Sequence, residues 1–301
     1  MKIIPSLAVT ILLSTQCIAQ NVITDTTATV LAYWNKGDKA KYSLKMTKEK
    51  YGNGKKISGG TSESDIDIMV ADATDSTYTL HWKYSKINLP GYNNSDPLIE
   101  KLTKLVEGIT FKYLTEQDGS FKALVNYKEV QKAVNTSLDD FLKMYPQKER
   151  AMIEQVKTVF TSRESIEELI MKDVQLVHNL YGGEYKLHEK LTAETQLPNV
   201  LGGNPFPAIL TIEMVQLDKL NKTCTINLDQ VLDAEKAAKE VGAFLDKTSN
   251  PPLEKLPDLD ISDKYAFEVD LVTGWMKKVL FTRTAAAEGK KNVEIHEITK
   301  L

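Results

Sequence analysis

KYAFEVDLVTGWMKKVLFTRTAAAEGKKNVEIHEITKL, residues 264–301, decides how the rest of the chain is read. Tyr265, Phe267, Val269 and Leu271 alternate with Ala266, Glu268 and Asp270, and Thr273-Gly274 breaks the run. A second strand-like run covers 275–284, a Gly289-Lys290-Lys291 loop follows, and a third run covers 292–299. Successive side chains of a strand point to opposite sides, so this alternation predicts an antiparallel meander with one buried face.

Earlier runs have the same character. Tyr42, Leu44 and Met46 alternate with polar residues, and Gly52-Asn53-Gly54 marks a turn. Ile66, Ile68 and Val70 return, then Tyr78, Leu80, Trp82 and Tyr84, predicting a three-strand meander with His81 facing solvent. Pro97 opens a short helix, and Ile109 to Tyr113 and Phe121 to Val125 are two further strands. Apolar residues at three-to-four spacing then predict three helices within about 127–180, the second opened by Pro146. Strands resume near Tyr185, Leu187 and Leu191. Residues 209–217 are apolar on both faces, as in a central strand, and 223–228 pair with them. A helix covers 233–247, and Pro251, Pro252 and Pro257 mark an extended connector over about 248–262. Residues 20–32, Thr-rich and without period, read as an irregular lead-in.

The expected fold class is therefore α+β: a large, curved, mainly antiparallel sheet, half-barrel-like, with an inserted three-helix block and one further helix. Residues 20–301 form one domain in this reading. The segment 123–130, ALVNYKEV, echoes 224–231, CTINLDQV. Two strand-to-helix transitions, each capped by its Asn, explain the echo without a duplicated unit, although duplication would also produce it.

The chain has 301 residues, 42% of them hydrophobic and 26% charged, ordinary values for a globular protein. A net charge of −3, with lysines spread along the chain, leaves no electrostatic footprint for nucleic acid or an anionic membrane. Residues 1–19 read as a signal peptide: Lys2, an apolar run over 3–13 too short to span a bilayer, and Cys17-Ile18-Ala19 before a cut at Gln20. The expected location is periplasmic or extracellular. The alternative is a lipoprotein anchored at Cys17, against which stands the bulky Gln16 before that cysteine. The mature chain carries no transmembrane segment in this reading. With Cys17 removed, Cys224 stands alone, a small buried residue of a strand.

Several short motifs resemble those of uncharacterised secreted proteins of Bacteroidota: a leader ending Ala19-Gln20, Lys36-Gly37-Asp38 before a strand, Asp118-Gly119-Ser120-Phe121 before Val125-Asn126, and Thr273-Gly274-Trp275. That resemblance implies no activity. The architecture is also similar to that of periplasmic lipoprotein carriers, whose curved sheet holds apolar ligand against helices; fold likeness alone does not transfer function.

No catalytic constellation stands out. His81, His178, His188 and His296 lack zinc-site spacing; His178 ends a helix, where the dipole favours an imidazolium, and the four read as surface or cap residues. Asp258, Asp260 and Asp263 lack the glycine and terminal Glu of a calcium loop and read as solvated. There is no Gly-x-Ser-x-Gly elbow and no phosphate loop. No metal or cofactor is expected. The unusual segment is 197–207, LPNVLGGNPFP, an apolar loop with paired glycines. Either it covers the end of the sheet, or Leu197, Val200, Leu201 and Phe206 contact a ligand or partner, with Trp82 and Trp275 lining a pocket. The leading expectation is a non-catalytic secreted envelope protein that binds an apolar small molecule or lipid between sheet and helices. The alternatives are an envelope protein as partner, in an interaction or structural role, and a hydrolase whose carboxylates meet only in space.

Overall fold

A computed structural model describes residues 23–90, 97–144, 163, 166–167, 171–197, 205–237 and 259–301. The C-terminal meander forms as its alternation requires: β11 (Leu259–Asp270), β12 (Met276–Ala287) and β13 (Lys290–Lys300) pair antiparallel in sequence order. The last turn is tighter than the Gly-Lys-Lys reading. It is two residues, Glu288 and Gly289, both at positive φ, and the lysines already belong to β13. Asn53 and Gly54 make the same turn between β2 (Lys39–Gly52) and β3 (Lys55–Ala73), and the Asn53 amide donates to the Gly289 carbonyl at 2.8 Å. Two positive φ angles match the right-handed twist of the flanking strands, which is why glycine recurs there.

The C-terminal β13 pairs with β2, so the two ends of the chain meet in the middle of one open sheet. On one side lie β2, β3, β4 (Thr77–Asn88), β5 (Thr110–Glu116) and β6 (Phe121–Leu124). On the other lie β13, β12, β11, β10 (Thr223–Leu232), β9 (Phe206–Asp218) and the edge strand β8 (Lys190–Leu197). All ten pairings are antiparallel. A separate two-stranded ribbon joins β1 (Thr27–Thr29) to β7 (Glu184–Lys186).

Among the described residues the helices are α1 (Pro97–Gly108), α2 (Tyr127–Met144), α3 (Lys172–His178), helical positions at 163 and 166–167, and a turn over 234–237; the three-helix block is not shown among them. The protein is mostly β. The helix opened at Pro146 and most of the helix 233–247 lie outside the described residues. The Pro-rich connector stops sooner than expected, because Leu259 and Ile261 already alternate within β11.

Four local readings are corrected. Residues 23–34 are not a loose lead-in: Ala28, Val30, Ala32 and Trp34 are buried, and the Ala32 amide donates to the Asp118 carbonyl at 2.8 Å. Small residues carry that alternation, so its apolar period is faint. Strand β9 is not central but lies one strand from the edge. The echo is not a shared strand-to-helix cap: Asn126 precedes α2, its carbonyl accepting from the Glu129 and Val130 amides while its side chain bonds to Lys112, Thr110 and Glu129, whereas Asn227 sits inside β10, between Glu213 and Ala266. The helical turn after β10 starts at Asp233, whose carboxylate accepts from the Lys236 amide at 3.1 Å. His81 is half-buried rather than solvent-facing.

One face of the sheet is covered by 23–34 and α3, and the main core lies there. Trp34 stacks on Trp275 with centroids 4.4 Å apart, and Trp82, Tyr113, Phe267 and Phe281 are sealed from water. A smaller cluster, Leu197, Phe206, Ala208, Leu232, Ala237 and Ile261, sits farther along β8–β11.

Candidate functional site

The register of the sheet builds the site. Side chains directly opposite one another on neighbouring strands share a face, so the pairings define rows that cross the covered face. One row runs Met214, Ile226, Phe267, Val279, Ile298, Leu44 and is wholly apolar. The next runs Ile212, Leu228, Tyr265, Phe281, His296, Met46. The third starts at Leu210 and is then polar throughout: Gln230, Asp263, Arg283, Glu294, Lys48. Beyond it the small apolar cluster begins, with Ile261 opposite Ala285. A charged stripe thus separates two hydrophobic clusters on the same strands.

Helix α3 lies over this stripe. A cavity of about 530 Å³, partly open to solvent, remains between the helix and strands β10–β13. Leu176 forms part of its helical wall, half-buried Tyr265 its aromatic floor with the sealed Phe281 ring packed behind it, and Lys48, Lys172 and Glu294 its charged end. Tyr265 and Phe281 are tilted at 4.9 Å, and the Lys172 ammonium lies 4.8 Å from the centre of the Phe281 ring.

Every charge in the stripe has a partner. The Arg283 guanidinium donates to Asp263 through Nε at 2.7 Å and again through a terminal nitrogen. Asp263 is almost fully buried, so this two-pronged contact is what lets it stay there; it is not one of three solvated acids. Asp173, on α3, accepts from the Tyr84 hydroxyl at 2.9 Å and from His296 Nδ1 at 2.6 Å. His296 Nε2 donates to Glu294 Oε1 at 2.6 Å, and Lys172 reaches the same oxygen at 2.9 Å. Both imidazole nitrogens face carboxylate oxygens, so both carry protons. Burial pulls the His296 pKa down, but its bonds to Asp173 and Glu294 outweigh that and raise it above the ordinary value. The His296 hydrogen bond holds the Glu294 carboxyl well below the usual carboxylate range against the opposing effect of burial, with help from Lys172 and Lys48.

His178 differs in kind. It does end α3, but the expected imidazolium is absent: the ring is buried, and desolvation lowers its pKa to about 4 despite a favourable bond to Gly119. Nδ1 donates to the Gly119 carbonyl at 2.7 Å, and Nε2 accepts from the Tyr113 hydroxyl at 3.0 Å. A side chain at Gly119 would strike the Tyr181 ring, and its φ is +102°, so only glycine serves there. His178 and His296 are thus interior residues, not surface ones.

The residues singled out from sequence do not form one pocket. Leu197 and Phe206 are buried in the small cluster, while Trp82 and Trp275 are buried in the main core. Val200 and Leu201 lie outside the described residues. Cys224 is buried, and burial pushes its thiol up to about 12. Of the residues that line the cavity, the sequence reading places Tyr265 on a buried strand face and Asp263 among solvated acids, and it gives the others no role in a site. A signal existed: Asp263 interrupts the apolar alternation Ile261, Tyr265, Phe267, and Arg283 follows Phe281 in the same way.

A second hollow of about 630 Å³ lies at the hairpin tips, between Tyr51, Gly54 and residues 286–291. It is lined by the strand ends around Gly54, Glu288 and Gly289. Among the described residues no group of His, Cys, Asp and Glu could hold a metal ion, and no helix is long and apolar enough to cross a membrane.

No known protein family and no curated protein matches the chain. Among solved structures it is similar to a lipovitellin studied for its lipid–protein interactions, at 12% identity and a TM-score of 0.45, over 89% of this chain and 25% of that one. The chain therefore spans about a quarter of the length of that lipovitellin. An outer membrane channel from Pseudomonas putida F1 is 8% identical, with a TM-score of 0.15, over 90% of this chain and 98% of that one. At these values neither likeness says what this chain binds.

Proposed function

We propose that this is an exported, non-catalytic protein of the cell envelope that holds an amphipathic small molecule or lipid in the cavity between α3 and strands β10–β13. One observation carries the proposal: the cavity straddles the change from the aromatic row, Tyr265 and Phe281, to the charged row, Asp263, Arg283, Glu294 and Lys48. A molecule lying along the strands meets an apolar floor at one end and fixed charge at the other. The volume, about 530 Å³, is within the range of small-molecule sites.

A hydrolytic reading is disfavoured by the same geometry. His296 has no free lone pair to accept a proton, since both nitrogens are bonded to carboxylates. Glu294 is held ionised by three cations and makes a weak base.

The test is native mass spectrometry of the protein purified from its own envelope, with Gln230→Trp as a variant that fills the cavity. A non-covalent adduct of lipid size, present in the natural protein and lost in Gln230→Trp, is the expected result. A bare polypeptide that also fails to take up a fluorescent fatty acid overturns the proposal.

A further inference from the structure

The charged end of the cavity has more positive charge than its carboxylates neutralise. Four cationic side chains, Lys48, Lys172, Arg283 and His296, face three carboxylates, Asp173, Asp263 and Glu294. Asp263 is committed to Arg283 and Asp173 to His296 and Tyr84. That leaves Glu294 to serve Lys172, His296 and Lys48, all through the one oxygen Oε1, at 2.9, 2.6 and 3.8 Å. Lys48 is the loosest of the three, and its side chain is largely exposed at the cavity mouth. An ammonium has three donors. Lys48 and Lys172 therefore have donors to spare, and both line the cavity.

From this geometry we infer that the polar end of the bound molecule is an anion, a carboxylate or a phosphate, received between Lys48 and Lys172 while its apolar part rests on Tyr265, with Phe281 behind it. The inference deepens the proposed function and rests on it. Its physical basis is local. The incoming anion neutralises the surplus cation of the cluster, and it takes charge-assisted hydrogen bonds in a site walled by Phe281 and α3, where water screens less than at an open surface. Glu294 sets the geometry by holding Lys172 in place through its bond to Oε1. It also sets a limit: a neutral head group leaves the surplus charge uncompensated, and a cationic one is repelled.

The experiment compares three probes by calorimetry on the full chain: oleate, oleyl alcohol and inorganic phosphate. Each is run against the natural protein, Lys48→Gln and Lys172→Gln. Lys48 is exposed, so its replacement leaves the fold unchanged, and a thermal melt checks Lys172→Gln. Oleate is expected to bind at least tenfold more tightly than oleyl alcohol, and each Lys→Gln change to weaken oleate about tenfold while leaving the alcohol within twofold. If oleyl alcohol binds as well as oleate and the lysine variants change nothing, the anion site is overturned and the amphiphile reading stands. If phosphate binds and neither lipid does, the anion site stands and the amphiphile reading falls. If no probe binds, both fall.

Discussion

Two rows of the same sheet face, roughly 13 Å apart along the strands, show opposite ways of being buried. Met214, Ile226, Phe267, Val279, Ile298 and Leu44 are apolar and belong to the main core cluster. Gln230, Asp263, Arg283, Glu294 and Lys48 cross β10 to β2 in the same register, ending against apolar Leu210 on β9, and their four charges are all paired. The apolar row needs volume to be filled; the polar row needs partners in specific positions. A sheet that wanted only stability would have continued the apolar row, since well-packed hydrophobic residues usually match or exceed a buried ion pair. The polar row therefore stands out as the part of the face that stability alone does not explain.

The comparison can be broken from either side. Phe267→Ala, in the apolar row, should show the largest effect: a loss of about 3–5 kcal/mol in chemical denaturation, from lost burial plus the cavity left behind. Arg283→Ala, in the polar row, leaves Asp263 buried without its partner and should cost about 3 kcal/mol, whereas Arg283→Met combined with Asp263→Leu should recover most of that loss. If the double variant stays as unstable as the single one, the row is held by more than this pair.

Acid sharpens the contrast between the two buried histidines. His178 titrates at about 4 when folded and near 6.5 when unfolded, so the unfolded chain takes up the extra proton between those values. Stability should fall as pH drops from 6.5 to 4, by about 3 kcal/mol from this residue. His296 acts in the other direction. Its folded value is raised, so its contribution is complete below 6.5 and is lost as pH rises through the folded value. Proton NMR titration of the two rings checks both: His178 should remain neutral down to about pH 4 and His296 charged above 6.5. The smallest effect is expected where neither kind of burial operates. Val272→Ser, in the exposed turn between β11 and β12, should change stability by less than about 0.5 kcal/mol.

Much of the sheet was legible because its period is two and its turns use residues that tolerate positive φ, as at Asn53-Gly54 and Gly289. The lead-in was not, because Ala28 and Ala32 give a weak apolar signal although both are buried under larger neighbours. The strand-to-helix transition at Asn126 was legible, but its side chain donates to Glu129 at 3.1 Å and accepts from the Lys112 amide instead of capping a helix amide. The similar pattern at Asn227, with Gln230 in place of Glu129, misled, since β10 has partners on both sides and the ladder overrides a local cap.

The candidate site was far less legible. Leu197 and Phe206 were noticed for being apolar in a loop, and they proved to be core residues of a small cluster. Lys48, Lys172, Asp173 and Glu294 are ordinary surface types in sequence. They become a site because β13 pairs with β2, which sets Glu294 opposite Lys48, and because α3 settles on β12, which brings Lys172 and Asp173 down onto them.

By itself the sequence determined the strands, their hairpin turns and which side of each strand is apolar, because those depend on residues two to four positions apart. Tertiary structure alone decided that the first and last meanders join at β2 and β13, that His178 is neutral while His296 is charged, and that a charged row faces a cavity. Those outcomes depend on groups far apart in the chain, 59 residues for His178 and Gly119 and 123 for His296 and Asp173, whose meeting no local period records.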